Sequence, residues 1–310
     1  MNLKVVVTGG AGFIGSHTVD KMIDRGWEVV IIDNLSTGLR ANVNIGARLV
    51  QMDILDNTLV ELFSREKFDC VLHLAAQTAV PYSIEHPDID CQVNLLGLVN
   101  VMEACRKTGV KRVAIASSAA VYGDAASLPI TEDMELKPGS FYGLTKCTSE
   151  KYLALYSQIY HIDYVALRYA NVYGERQGDG GEGGVVSIFT RKIAEEQPMY
   201  VFGDGGQTRD FIYVGDVAEA NCQALTAPVS AVNRVYNVST QTQTSVNDLA
   251  ALLNKAAAKS AKPNYLPARD GDIYHSTLSN KAAVTLLGWK PAMPLADGLG
   301  RTYHSIKEKL

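Results

Sequence analysis

The sequence predicts an α/β protein: a doubly wound parallel sheet followed by a smaller C-terminal α/β lobe. Three observations lead there. Short β-rich runs alternate with helical patterns through the first half of the chain, a glycine-rich turn joins the first strand to the first helix, and an aspartate ends the second strand. Such alternation is the signature of βαβ units, whose crossover helices make neighbouring strands run parallel.

The strand-like runs are Leu3–Thr8, Glu28–Asp33, Arg48–Gln51, Cys70–Leu74, Val113–Ser117 and Tyr164–Tyr169. Helical patterns at 13–25, 58–66, 91–108 and 141–160 lie between them. After Tyr169 the character changes: Gly-rich segments at 178–184 and 203–206 bracket a helical stretch at 185–196. A further helical run at 246–258 leads into a Pro-punctuated tail at 263–294, while Arg234–Val238 has the composition of a strand returning to the main sheet. The expected division is therefore a sheet domain at 1–169 plus roughly 212–240, and a second lobe from 170–211 and roughly 241–310.

Composition excludes several classes. With 310 residues, 47% hydrophobic and 20% charged, the chain is long enough for a large core and unlike a disordered segment. Its 29 Lys and Arg against 33 Asp and Glu leave a net charge of −4, so no positive field is available to hold nucleic acid or an anionic membrane. No apolar run approaches the roughly 18 residues of a membrane span. The five cysteines form no C-x-x-C pair and the six histidines no H-E-x-x-H pair. We therefore expect a cytoplasmic protein with reduced thiols and no protein-bound metal.

The run Thr8-Gly9-Gly10-Ala11-Gly12-Phe13-Ile14-Gly15 follows a strand and opens a helix. Glycines there permit a tight turn and close approach of backbone N–H groups to a pyrophosphate, and the helix N-terminus favours the anion. Asp33 follows Gly15 by 18 residues, where a carboxylate accepts from an adenosine ribose. It repels a 2′-phosphate, and Asn34-Leu35-Ser36-Thr37-Gly38 offers no arginine to neutralise one, so NAD is favoured over NADP. Asp53-Ile54, after the third strand, reads either as an adenine contact or as a plain turn.

Downstream, Ser117-Ser118 ends a strand and Tyr142-Gly-Leu-Thr-Lys146 opens a helix. The spacing puts Tyr142 and Lys146 on one helix face. A tyrosine that acts as a base must titrate near neutrality, and lowering its pKa from about 10 to about 7 takes roughly 4 kcal/mol. One positive charge at about 4 Å and an effective dielectric of about 20 supplies about that much, so Lys146, helped by a nicotinamide cation, suffices.

Taken together these motifs resemble the extended short-chain dehydrogenase/reductase family, and within it the NAD-dependent nucleotide-sugar epimerases that act on UDP-hexoses at C4. The marks are TGGAGFIGSH (8–17), DNLSTG (33–38), HLAAQ (73–77), Asn94, SSAAVYGD (117–124), YGLTK (142–146), RYANVYGERQ (168–177), FGDGGQTRDFIYVGDV (202–217) and ARDGDIYHS (268–276). The resemblance implies Ser118, Tyr142 and Lys146 as catalytic residues. It implies NAD, tightly bound and recycled in each turnover, held by Gly9, Gly12, Phe13, Ile14, Gly15, Asp33 to Gly38, Asp53, Ile54, Leu74, Ala75, Ala76, Gln77, Thr78, Asn94, Ser117, Tyr142, Lys146, Tyr169 and Ala170. A UDP-sugar would be held by Ser118, Tyr142, Asn171, Val186, Tyr200, Val201, Phe202, Arg209, Arg269, Asp272 and Ser276. The implied reaction is interconversion of UDP-glucose and UDP-galactose through a 4-keto intermediate.

Three details bear on the branch. Related dehydratases and decarboxylases carry an acid or base beside the serine, where this chain has Ala119 and Ala120. Asn171 stands where the UDP-glucuronate 4-epimerases commonly have Thr, which favours a neutral hexose. Ser276 replaces a Tyr that restricts some members, so N-acetylated sugars are expected to fit as well. Phe141 and Ala170 depart from the usual Pro and Phe, leaving the nicotinamide side roomier. The competing readings are another nucleotide-sugar chemistry of the family, such as a glucuronate epimerase or a dehydratase or reductase, and a non-catalytic NAD-binding protein. The family commonly dimerises through two helices per subunit, here 91–108 and 141–160. The helix at 91–108 is apolar nearly all round; its pattern alone leaves open whether a partner or its own chain covers the second side.

Overall fold

The computed structural model describes residues 3–178, 184–268 and 273–310. The chain runs β1 (Lys4–Thr8), α1 (Phe13–Asp24), β2 (Glu28–Asp33), β3 (Arg48–Gln51), α2 (Leu59–Glu66), β4 (Cys70–His73), α3 (Val80–Glu85) and α4 (Pro87–Cys91). A π-helical turn at Gln92–Leu96 leads into α5 (Gly97–Thr108), then β5 (Arg112–Ser118), α6 (Phe141–Tyr160), β6 (Asp163–Tyr169) and β7 (Asn171–Tyr173). The remainder is α7 (Val185–Ala194), β8 (Tyr200–Phe202), β9 (Thr208–Arg209), β10 (Phe211–Tyr213), α8 (Val214–Thr226), β11 (Arg234–Val238), β12 (Thr244–Ser245), α9 (Val246–Ala257), β13 (Asn264–Leu266) and α10 (Leu295–Lys307).

Seven strands form one sheet in the order β11-β6-β5-β4-β1-β2-β3, every pair parallel. The strand order reverses between β1 and β4, which is where a doubly wound sheet opens a crevice at its carboxyl edge. Because helices cover both faces, strand side chains alternate between two buried layers instead of between core and water. Val5 and Val7 join Val19 and Met22 of α1 on one side, and Val6 joins Phe63, Leu98 and Met102 on the other.

All seven predicted sheet strands are present, within one residue at either end. The predicted helix at 91–108 differs. It is α4, the π turn and α5 in succession, and Gly97 sits at the junction because a Cβ there would lie 2.4 Å from Ile54 Cδ1. The helices α3 and α8 had no clear signature, since Pro, Gly and small residues dilute their apolar period; α10 does carry one, at Leu295, Leu299, Tyr303 and Ile306, and lies beyond the helical runs expected from the sequence.

The second lobe packs α7, α9 and α10 around Phe189, Ile193, Leu249, Leu253, Leu299 and Tyr303. Short ladders β8·β13 and β9·β12 tie its loops together, and β7·β10 joins it to the sheet domain. Among the described residues no helix is long and apolar enough to cross a membrane.

One ion pair is deeply buried behind the carboxyl edge. Arg168 on β6 meets Glu150 on α6 at 2.6 Å, with the two side chains 4% and 7% exposed. Ser117 on β5 donates to the same carboxylate at 2.5 Å, and Arg168 also donates to the Tyr122 hydroxyl at 2.7 Å. Arg168→Ala strands the Glu150 charge, so urea unfolding is expected to show a loss of about 3–5 kcal/mol.

Candidate functional site

The crevice lies where β1, β2, β4, β5 and β6 end. At the end of β1 the backbone of Gly9 has a φ of +71°, and a Cβ there would press 2.7 Å from the Ala75 nitrogen. At Gly15 a Cβ would lie 2.1 Å from the Gly9 carbonyl, so these two positions close the turn on itself and on the segment after β4. Gly12 is different: it meets only the Gly9 oxygen, at 3.2 Å, and caps α1 with no side-chain hydrogen bond. The first-turn N–H groups of α1 are thus left for an external acceptor, which is the cradle a pyrophosphate needs.

Asp33 is 7% exposed and already accepts from two backbone groups, Ala11 N–H at 2.9 Å and Leu35 N–H at 2.8 Å. A carboxylate offers about four acceptor positions, so two remain for ribose hydroxyls. The close packing of Gly38, whose Cβ would sit 2.8 Å from Asp33 Oδ1, keeps the segment Asn34 to Gly38 against the turn. Asp53 makes the turn, and its second oxygen is taken up by the loop after β2. One oxygen accepts from Leu55 N–H in a local turn, and the other accepts from Asn34 at 2.8 Å, bracing the loop after β2. These residues fit NAD.

Ser118 ends β5, and its hydroxyl hydrogen-bonds the phenol of Tyr142 in the first turn of α6. The approach depends on Gly143, where a Cβ would lie 2.6 Å from the Ala120 carbonyl, and on the N-cap Ser140, which accepts from Gly143 N–H at 3.1 Å. Lys146 follows one turn later, 7% exposed, with Nζ 5.8 Å from the Tyr142 ring centre. Burial pulls the Lys146 ammonium down to about 8 against the opposing pull of the Asp90 carboxylate.

Burial and, secondarily, the Asp90 charge hold the Tyr142 phenol above its usual value in the protein by itself, although the Ser118 hydrogen bond opposes them. The lowering that a base needs is left to charge brought by bound ligands. His73, at the end of β4, is buried neutral with a pKa pushed down to about 3 by desolvation, and pairs with Thr8 Oγ1 at 2.8 Å.

Several predicted contacts are committed to the protein itself. Asn94, 3% exposed in the π turn, accepts from Gln77 N–H at 2.9 Å and donates to the Gln77 carbonyl at 3.0 Å. It thereby clamps the turn carrying Leu74 to Thr78. Ser117 and Tyr169 face inward, onto Glu150 and Asn221 respectively, so only their backbones border the crevice. Ala170 is 9% exposed beside them, and Ile54 lies under Gly97. Sequence reasoning missed Asp90, Thr145, Glu150 and Arg168. The available signal was spacing: Asp90 precedes Asn94 by one helical turn, and Glu150 follows Lys146 by one.

In the second lobe Tyr200 and Phe202 point outward from β8, while Val201 between them is buried, as strand alternation requires. Val186 on α7 is also in the lobe's core, so neither valine presents its side chain. Arg209 ends β9 and donates to the Thr208 carbonyl at 2.8 Å. Ser276 N–H reaches the same carbonyl at 3.3 Å, which places Ser276 beside Arg209. Asn171 opens β7 with an exposed side chain. Arg269 and Asp272 lie outside the described residues.

This geometry agrees with comparisons to known proteins. A family model described as the NAD dependent epimerase/dehydratase family matches residues 5–239. The chain belongs to that family. The UDP-glucose 4-epimerase of Mycolicibacterium smegmatis is 37% identical over 313 residues, covering 99% of each chain. The solved UDP-glucose 4-epimerase of Thermotoga maritima with UDP-glucose superposes with a TM-score of 0.95 at 38% identity, covering 99% of both chains. A UDP-N-acetylglucosamine 4-epimerase of Methanobrevibacter ruminantium, in complex with UDP-N-acetylmuramic acid, superposes equally well at 0.95 and 34% identity, over 100% of this chain and 99% of the other.

Gly143→Ala is expected to push α6 away from Ala120 and separate Tyr142 from Ser118. A loss of about 10–100-fold in kcat together with a lowered unfolding midpoint is the expected result, read by steady-state kinetics and thermal melting.

Proposed function

We propose that this protein interconverts UDP-glucose and UDP-galactose by epimerisation at C4, with Ser118, Tyr142 and Lys146 as its catalytic residues. The observation that carries the reading is the Ser118–Tyr142 hydrogen bond on a helix that also buries Lys146, opening onto a turn suited to NAD. Relatives with this activity match the chain from end to end.

Bound NAD supplies a reversible acceptor for the C4 hydride. Tyr142, as phenolate, takes the C4 hydroxyl proton, with Ser118 relaying it across their hydrogen bond. Lys146, while protonated, would stabilise the phenolate. The resulting 4-keto sugar would be planar at C4; rotation of the hexose would present its other face, and Tyr142 would return the proton. Arg209 and Asn171, with Arg269, grip the diphosphate throughout, so the sugar turns while the nucleotide stays anchored. Tyr200 and Phe202 flank the uracil, with Val201 contributing backbone only, and Asp272 takes the ribose hydroxyls. Ala119 and Ala120 leave no second acid or base beside Ser118 for dehydration. The division of labour follows the chain, with NAD on the sheet domain and the UDP-sugar on the second lobe.

A second substrate reading is favoured by Ser276. Its small side chain beside Arg209 leaves space at the sugar for a C2 N-acetyl group, so UDP-N-acetylglucosamine is a further expected substrate. We also infer a homodimer. Leu96, next to α5, and Phe141, Leu144, Tyr152, Leu155 and Ile159 of α6 are each at least 43% exposed, a face wide enough to be buried by the same face of a second copy. Four buried cysteines and one exposed, all unpaired, suit a cytoplasmic setting.

Incubation with single UDP-sugars and no added cofactor, followed by NMR, should yield the C4 epimer of UDP-glucose and of its N-acetylated analogue. A stable keto or deoxy product would overturn the epimerase reading, and failure with the acetylated sugar alone would remove only the second. Tyr142→Phe should lower kcat at least about 10³-fold while NAD stays bound by absorbance. Lys146, titrating near 8, must keep its charge, so turnover should decline as pH rises through that value. Leu155→Lys combined with Ile159→Lys should give a monomer by light scattering.

A further inference from the structure

Asp90 is a carboxylate with no solvent exposure that the mechanism above does not use. It lies on α4, one helical turn before Asn94, and three side chains point donors at it. Thr145 donates to Oδ2 at 2.8 Å, while Asn94 at 3.0 Å and Gln77 at 2.9 Å both donate to Oδ1. Thr145 is the residue directly before Lys146, and Gln77 belongs to the turn after β4 that borders the NAD crevice.

We propose that Asp90 is a positioning residue for this active site: its buried negative charge keeps Lys146 protonated, and its hydrogen bonds lock the catalytic helix to the Leu74–Thr78 turn. The proposal rests on the roles given to Tyr142 and Lys146 above.

Hydrogen bonding alone does not call for a carboxylate here. An amide oxygen would serve Asn94 and Gln77 equally well, and Thr145 has the Tyr142 carbonyl as an alternative acceptor at 3.0 Å. A charge buried without a counter-charge is strongly unfavourable, so a retained carboxylate needs a cation. The charge available to it is that of Lys146, the residue after Thr145: burial holds the Asp90 carboxyl above its usual value, the Thr145 hydrogen bond and the Lys146 charge oppose that rise, and Asp90 in turn opposes the desolvation that draws the Lys146 ammonium down to about 8. The other ionisable groups facing Lys146 are Tyr142 on α6 itself and His73 from β4, which is neutral. Glu150, one turn further along α6, is held by Arg168. On α3 and α4, Glu85, His86, Asp88 and Cys91 are all exposed to water. Asn94 lies in the π turn that follows α4, and its side chain meets Asp90 at 3.0 Å.

The sign of the effect follows. A negative charge raises the pKa of both neighbours, Lys146 and Tyr142, so its removal lowers both. The active form has Tyr142 deprotonated and Lys146 protonated; both limbs of the pH–rate profile should therefore move to lower pH together in Asp90→Asn.

The decisive measurement does not require turnover. Lysine labelled with ¹³C at Cε, followed by NMR across pH with Lys146→Met used for assignment, reads the Lys146 ionisation directly. Asp90→Asn should lower that pKa by about one unit; an unchanged value overturns the proposal. With UDP-glucose, both limbs of the pH–rate profile should shift acid, whereas a uniform loss with unmoved limbs signals a merely structural residue and also overturns it. If Asp90→Asn does not fold, infrared spectroscopy of the wild type with labelled aspartate decides: Asp90 must be ionised at neutral pH, and a protonated carboxyl there overturns the proposal. Absence of epimerisation by the wild type, with the NMR shift present, would instead fault the proposed function and leave the electrostatic role of Asp90 standing.

Discussion

The pairing of Arg168 with Glu150 is the constraint on which the catalytic edge depends. Two opposite charges almost without solvent exposure persist only when every donor and acceptor around them is met. Here the surrounding groups come from β5, β6, α6 and the segment after β5: Ser117, Tyr122 and the Glu132 carbonyl, with Tyr122 passing the chain of bonds to Asn237 on β11. None of these elements can slide relative to the others without stranding a charge. Since Ser118 is next to Ser117 and Tyr142 lies on the helix of Glu150, their mutual geometry is set by that buried pair rather than by their own hydrogen bond.

A second polar cluster does the same on the cofactor side. Asn94, Asp90, Gln77 and Thr145 join the π turn, the loop after β4 and α6, so the strip bordering the crevice and the helix carrying Tyr142 and Lys146 are tied together. The remaining determinants of close approach are glycines, at positions 9, 15 and 143, where any side chain would collide with backbone. Rigid walls suit an epimerase: the hexose has to turn between two hydride transfers while the reacting groups stay in place. The second lobe joins the sheet domain through β7·β10.

Much of this was legible in the sequence. The seven strands were readable because both faces of a parallel sheet are buried, which writes uninterrupted runs such as Val5-Val6-Val7 and Val29-Val30-Ile31-Ile32. The glycine turn, Asp33 and the Tyr142/Lys146 spacing were readable because each depends on local backbone geometry. What escaped were features made by contacts distant in sequence. Thr145 and Asp90 lie 55 residues apart, and Ser117 and Glu150 33 apart, so no window of sequence contains either pair. Ser117, Asn94 and Tyr169 belong to recognisable motifs, yet their side chains serve the scaffold, a distinction that only burial reveals.

The sequence by itself determined the fold class, the preference for NAD and the identity of the candidate base, because short-range periodicity and turn chemistry encode them. Only the tertiary structure decided the electrostatics of the site. Burial raises the Tyr142 phenol in the protein by itself and draws Lys146 down, and Asp90 is set between α6 and the turn after β4. The physical reason is that a pKa depends on desolvation and on charges brought near through space, and neither exists until the chain has folded.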